Sequence, residues 1–220
     1  SQWSLGYNKH PFLAAWYVSA FTTFFNAIEW PAYFAAQIAN ACTFIFTYKL
    51  GRCILSKEGA FVSSLLIEGV LFYNINAFNL TPDTLQSPLW ALLAYVFYKA
   101  LTQNKSQPWI LTGVVSALCL MTKYQGVFFL TPVFLFTLIN PKARATYQTK
   151  GPYLALISFF LFICPHLIWL YHHNFITLKY AQGVSDLYLT PQSLWGHIKH
   201  AIFFSFNLLT FTLPLFVISW

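Results

Sequence analysis

The sequence predicts an all-α fold, a polytopic transmembrane helix bundle built as a single domain over residues 1–220. Three observations carry that expectation. Hydrophobic residues make up 58% of the chain and charged residues only 8%, where an average soluble domain has about 25% charged. The apolar residues come in runs of spanning or near-spanning length, not in the short alternating stretches of half-buried strands. The charged residues collect in the gaps between those runs, where a membrane protein carries its topology signals.

The elements follow in chain order. Residues 12–25 hold Trp16, Tyr17 and several Phe and read as an interfacial helix, because amphipathic rings favour the membrane boundary. Membrane helices are expected over 30–49, 59–75, 83–102, 152–171 and 203–220. Glu68, inside the second of these, is expected to face protein and to find a hydrogen-bonding partner there. Asn79-Leu80-Thr81-Pro82-Asp83 marks a helix start, with Thr81 as N-cap, Pro82 at the first helical position and Asp83 in the first turn. Ser1 is not an initiating Met, and residues 213–220 end within an apolar run. The expectation is a fragment that lacks helices at both ends.

Charge sets the orientation. Lys49, Arg52 and Lys57 share one gap, Lys99 and Lys105 a second, and Lys142, Arg144 and Lys150 a third. These gaps fall on one side, taken as cytoplasmic. Lys9, Lys123, Lys179 and Lys199 fall on the other, with Glu29, Asp83 and Asp186. The alternation requires residues 109–140 to leave the cytoplasmic side and return to it. Two short helices over 109–122 and 127–140 do so, as a re-entrant-like hairpin turning at Lys123-Tyr124-Gln125-Gly126. Each arm of about 14 residues reaches about 21 Å, short of the ~30 Å hydrocarbon core. A polar turn at that depth must be buried in protein or line a wet cavity. A cavity open to the non-cytoplasmic side, with Lys123 near its floor, is therefore expected.

Composition also excludes functions. The net charge of +7 resides in the interhelical gaps, and no nucleic-acid-binding motif accompanies it, so no nucleic acid is expected as a partner. Cys42, Cys53, Cys119 and Cys164 form no CxxC and read as small apolar residues. His166, His172, His173, His197 and His200 lack a Cys or carboxylate at ligand spacing, and adjacent His172 and His173 diverge on a helix. Neither a metal nor a cofactor is expected. Asp83 reads either as a helix-terminal charge or as a carboxylate at the mouth of the bundle, orienting a sugar or a cation. Lys123 reads either as a snorkelling side chain or as a cation awaiting an anion, most naturally a phosphate. Lys9 and His10 suit lipid headgroups and also a phosphate clamp.

Four segments in this order resemble the polytopic glycosyltransferase family of dolichyl-phosphate-mannose-protein mannosyltransferases and their bacterial relatives, which have the GT-C fold. Leu5-Gly6-Tyr7-Asn8-Lys9-His10-Pro11-Phe12 resembles the family's first outer loop, Gly-Tyr-x-x-His-Pro-Pro-Leu. Asn79-Leu80-Thr81-Pro82-Asp83 resembles its Asn-x-x-x-Asp segment, with Trp90 following in the next helix. Thr122-Lys123-Tyr124-Gln125-Gly126 resembles its Ser-Lys-Tyr-Thr-Gly turn. Pro165-His166-Leu167-Ile168-Trp169 and His173-Asn174-Phe175-Ile176-Thr177 resemble its Pro-x-x-x-Trp-x-x-x-His segment.

The resemblance implies an inverting transfer of a sugar from a polyprenyl-phosphate carrier to a lipid, glycan or protein acceptor outside the cytoplasm. A base activates the acceptor hydroxyl and cations stabilise the departing phosphate. Carried over, it makes Lys123 and His10 candidates for the phosphate site, with Tyr124 and Lys9 beside them as further substrate-binding residues. Asp83 becomes the supporting acid, and His173 a histidine at the outer end of a helix. The family's acidic pair, which holds the expected base, would lie upstream of Ser1, so this fragment alone is expected to be inactive. Phe12 replaces the second Pro, and Asn8-Lys9 a common aromatic-Asp pair. The expected location is a bacterial cytoplasmic membrane, with the site facing the periplasm. Two other readings stay open: a transporter or flippase of a lipid-linked or polar substrate, and a non-catalytic subunit of the same fold.

Overall fold

The structure, a computed structural model, describes residues 3–70, 73, 78–103, 105–188, 195, 196, 198 and 199. Every regular element among them is helical. The α-helices are α1 Leu13–Phe24, α2 Glu29–Gly51, α3 Lys57–Leu65, α4 Pro82–Thr102, α5 Ser106–Thr122, α6 Val127–Ile139, α7 Pro141–Ala145, α8 Gly151–His172 and α9 Ile176–Tyr188.

Helix α5 is the centre of the bundle, packed between α4 and α8, while α2 lies on α4 and α1 bridges α2 and α5. The α5–α8 approach depends on Gly113, where a Cβ would collide with the Ala155 carbonyl and Ser158 Oγ. The Ser158 hydroxyl sits 3.0 Å from the Ile110 carbonyl on the facing helix. Leu93 and Val96 of α4 meet Val115 and Cys119 of α5 in one buried cluster. A second joins Ala117 and Met121 of α5 to Ile163 of α8 and to Phe12. Burying Phe12, with its ring 4.6 Å from that of Trp16, accounts for an aromatic residue at a position where the family usually has proline.

The helical hairpin forms. Its first arm begins at Ser106, earlier than residue 109, because Pro108 fits the first turn, where its missing N–H is no loss. The second arm returns beside α4, with Phe129 stacked on Trp90 and Phe136 edge-on to Phe97. With 17 and 13 residues, the arms reach about 26 and 20 Å. The turn between them, Lys123 and the 3₁₀ turn Tyr124–Gly126, is level with the start of α4.

Two expectations need correction. The helix expected over 59–75 is interrupted: α3 ends at Leu65, a 3₁₀ turn follows at Leu66–Gly69 and Val70 is extended, while Tyr73 is helical again. Gly69, a poor helix residue, sits at that break. Glu68 consequently lies on an exposed turn, not on an inward helix face. Helix α9 is not among the sequence expectations. The helix expected over 203–220 lies outside the described residues, as do His197 and His200.

Large apolar side chains stand exposed around the bundle, among them Phe128 at 75%, Ile139 at 76% and Leu161 at 69%. In water such a surface would drive association. By length and apolarity alone, however, only α8 among the described residues qualifies as a membrane span, with mean hydropathy 2.1. The stretch Tyr124–Ile139 with Pro141–Gln148 qualifies only as a span bent by 83°. Helices α2 and α4 are long enough, with 23 and 21 residues, but carry Gln37, Asn40 and Lys49, and Asp83, Gln86 and Lys99. The expected number of spans is thus not reached by this criterion.

The polar segments nevertheless divide between two ends. The Tyr98 hydroxyl donates to the Cys53 carbonyl at 3.2 Å, joining the first basic gap to the second. Lys105 and Lys150 line one recess, joining the second to the third. The four segments that carry the resemblance gather at the opposite end.

Candidate active site

The site begins with the cap of α4. Thr81 Oγ1 accepts from the Thr84 backbone N–H, and Thr84 Oγ1 accepts from that of Thr81, both at 3.3 Å. The Thr84 hydroxyl donates to the Asn79 carbonyl at 2.7 Å. This reciprocal cap satisfies the helix start without Asp83, so the carboxylate is available for another partner. That partner is Lys123. Its Nζ donates to Oδ1 at 2.8 Å and to Oδ2 at 3.0 Å. The lysine side chain is 20% exposed and the aspartate 48%. Asp83 remains in the first turn, where its charge also suits the helix dipole.

The hairpin turn is held closely against its surroundings. Thr122 is fully buried and Gly126 is buried. A Cβ at Gly126 would press on the Cys119 carbonyl at 3.0 Å and Gln86 Nε2 at 3.1 Å. Tyr124, next to Lys123, directs its hydroxyl to Nε2 of His166 at 2.9 Å. The other ring nitrogen of His166 lies 2.7 Å from the Leu5 carbonyl. A carbonyl only accepts, so Nδ1 carries the proton and the tyrosine donates to Nε2 of the neutral ring. His166 is 1% exposed, and this chain of bonds satisfies both of its nitrogens.

The first segment closes over the same helix end. Gly6 lies against the Trp169 indole so closely that a Cβ would overlap the ring. Trp169 stacks on His173 with centroids 4.1 Å apart, and His173 Nδ1 donates to the Trp169 carbonyl at 2.8 Å. The chain then reverses through Asn174 and Phe175, both at positive φ, a strained conformation for a phenylalanine. The reversal brings Thr177, fully buried, to donate to the Tyr7 carbonyl at 2.8 Å.

His10 stands close enough to the Asp83–Lys123 pair to sense both charges. Burial, then Lys9, then Lys123 hold its pKa below the ordinary 6.5, and Asp83 opposes them. His10 is therefore neutral at neutral pH. An arriving anion would favour its protonation.

Two recesses open at this end, on different faces of α4. One, of about 270 Å³, has Tyr7, Lys9, His10, Tyr17 and Thr81 in its wall. The other, of about 360 Å³, is bounded by Asp83, Gln86, Ser87 and Trp90. The indole N–H of Trp90 is buried without a hydrogen-bond partner. Lys123 lines neither recess and joins the site through Asp83, whereas the sequence suggested a cavity with Lys123 on its floor.

Of the residues singled out in the sequence, Asp83 and Lys123 are in direct contact and His10 is their electrostatic neighbour. Tyr124 and His173 reach the same cluster through His166 and Trp169, and Lys9 lies at its rim. The sequence weighed His166 only as a metal ligand and as part of the fourth segment, not as a site residue, although a histidine inside an apolar run is the signal that marks it.

No curated protein and no solved structure matches the chain. A family model described as dolichyl-phosphate-mannose-protein mannosyltransferase matches residues 9–169, from His10's neighbour to the Trp169 that covers Gly6. That match takes in most of the chain, including the second and third segments and part of the first and fourth, and the chain belongs to the dolichyl-phosphate-mannose-protein mannosyltransferase family.

Proposed function

We propose that the chain is the membrane-embedded, polytopic part of an inverting GT-C-type glycosyltransferase that takes a sugar from a polyprenyl-phosphate carrier and hands it to an acceptor on the non-cytoplasmic side. The family is one of membrane glycosyltransferases of mannosyltransferase type; the donor, the sidedness and the residue roles are the proposal. The observation that carries it is the bidentate Asp83–Lys123 pair beside His10 at the meeting point of four distant segments. Ionised groups among largely apolar helices are costly and mark function. With Lys9 and Lys123 positive, Asp83 negative and His10 neutral, the site carries a net positive charge suited to a phosphate.

Each group has a role in that reading. Asp83 fixes the Lys123 ammonium through two of its N–H bonds and leaves the third for a phosphate oxygen. His10 and Lys9 approach the phosphate from the other side, and His10 gains a proton as the anion arrives. In the transfer, the acceptor oxygen bonds to the anomeric carbon. The bond from that carbon to the phosphate oxygen breaks, its electron pair leaving with the polyprenyl phosphate. The acceptor proton passes to a base, which the resemblance assigns to an acidic residue preceding the Gly6-Tyr7 segment. Lys123 and its neighbours stabilise the charge that grows on the leaving phosphate. The eight basic residues of the other end favour a cytoplasmic placement there, and hence a periplasmic site in a bacterial inner membrane.

The test is a transfer assay on the full-length protein in membranes with a panel of radiolabelled polyprenyl-phosphate sugars. Label moving from one donor to acceptor, and lost in Lys123→Ala, is the expected result. No transfer across the panel by a folded, inserted protein would overturn the proposal.

A further inference from the structure

The end of the bundle remote from the site holds a second arrangement that the transfer reaction does not use. A recess of about 150 Å³ lies between Lys105 and Lys150, with Ser106, Trp109, Thr149 and Gly151 completing its wall. The N-termini of two long helices, α5 and α8, open into it. Neither is capped by its N-cap side chain, since those residues are Lys105 and Lys150; Thr149 Oγ1 accepts from the Gly151 N–H at 3.2 Å. Two helix N-termini and two ammonium groups make a strongly anion-attracting pocket. Lys142 and Arg144 stand in the same connection, and none of these four cations has an ion-pair partner among the described residues.

A second observation points to a ligand. Trp109 is 6% exposed and its indole nitrogen lies against Gly151, where a Cβ would collide with it. Among the described residues that N–H makes no hydrogen bond, and it borders the recess. The N–H is open to the recess, not sealed in the core, and a phosphate oxygen there would accept from it.

Trp109 also forms the end wall of a longer groove of about 310 Å³, running between α5, α6 and α8. Its hydroxyls are turned away from any guest. Thr112 donates to the Pro108 carbonyl at 2.8 Å and Ser116 to that of Thr112 at 2.7 Å. Thr137 donates to the Phe134 carbonyl at 2.6 Å and receives the Tyr147 hydroxyl at 2.7 Å. What remains is an apolar channel flanked by the exposed Phe134, Tyr153 and Leu156.

We propose that this end binds one anionic phospholipid, its phosphate between Lys105 and Lys150 at the two helix N-termini and one acyl chain in the groove between the hairpin and α8. A polar recess continuous through Trp109 with an apolar groove matches an amphiphile with an anionic head. Basic pockets between membrane helices recognise such headgroups. The proposal rests on the chain's membrane family and not on the sugar-transfer reading, so failure of the transfer assay leaves it standing.

Native mass spectrometry of the full-length protein in detergent, titrated with phosphatidylglycerol or phosphatidylcholine, tests it. The phosphatidylglycerol adduct should form at about tenfold lower lipid concentration. Lys105→Gln with Lys150→Gln should erase that difference, and Ser116→Phe, which fills the groove, should weaken both adducts. Equal binding of the two lipids by the wild type would overturn the proposal, whatever the variants do. So would displacement of phosphatidylglycerol by inorganic phosphate at matching concentration, which would identify a free-phosphate site.

Discussion

The two ends of the bundle handle charge in opposite ways. At the site, Lys123 is held by both oxygens of Asp83, His166 uses both ring nitrogens, and His10 is driven toward its neutral form. At the other end, Lys105 and Lys150 project into a recess with no acidic partner among the described residues, beside an indole N–H that donates to nothing. Partial burial explains the first pattern, because an unpaired charge there is expensive. The second is tolerated where headgroups and water are at hand. Pairing fixes geometry, which chemistry needs; unpaired cations set orientation and attract whatever anion the membrane offers.

If that contrast is right, the same lysine-to-alanine change has unequal effects at the two ends. Lys123→Ala removes a cation aimed at the leaving phosphate and strands Asp83. Transfer by the full-length protein should fall by about 100-fold or more, with membrane insertion intact. Lys105→Ala should leave transfer within a fewfold of wild type. Equal losses in the radiolabel assay would mean that both ends serve the same step, and the division of labour would be wrong.

Glycine provides a second, smaller contrast. Gly6→Ala drives a methyl into the Trp169 ring and should lower stability by about 1–3 kcal/mol, as overpacking does. Gly183 has nothing within 4 Å of the added methyl. Gly183→Ala lies within α9 and should stabilise by up to ~1 kcal/mol through helix propensity. Thermal unfolding in detergent reads both. A drop for Gly183→Ala matching that of Gly6→Ala would remove the claim that Gly6 is a contact-determined position. Tyr124→Phe falls between them in direction and size. It leaves His166 Nε2 buried without its donor, and should cost about 1 kcal/mol in the same measurement.

Much of the frame of these arguments was legible in the sequence. The apolar runs located α1, α2, α4 and α8, and the alternation of charged gaps required the hairpin. The charge gaps also separated the two ends correctly. What escaped was long-range pairing. Nothing in local periodicity joins Asp83 to a lysine 40 positions later, or His166 to a carbonyl 161 positions earlier. Only the packing of α4, α5 and α8 makes those neighbours. Thr84 illustrates the same limit at short range. The sequence read Asp83 either as a helix-terminal charge or as a carboxylate at the mouth of the bundle, and could not show that the Thr81–Thr84 reciprocal bonds complete the cap and leave it to Lys123. Helix α9 was missed because its short, amphipathic run lacks the continuous apolar character that identified the others.

The smallest effect is also the one that most directly probes the site's electrostatics. Burial and two lysines hold the pKa of His10 below 6.5 in the folded chain. The unfolded state therefore binds more protons than the folded state once pH falls below about 6.5, so stability rises with pH across that window. Acidification should lower the midpoint of thermal unfolding, beginning near pH 6.5 and levelling off below the folded pKa. His10→Gln should remove this part of the slope. The influence of Lys123 makes the contrast sharper. In Lys123→Ala the nearby cation is gone and Asp83 is unopposed, so the pKa of His10 should rise and the acid-side loss should shrink. Donor phosphate should act in the same direction, because a bound anion favours the imidazolium. If neither substitution nor donor moved the acid limb, His10 would not sense the Asp83–Lys123 pair. Its place at the phosphate site would then have to be given up, while the pair itself stood on its own distances.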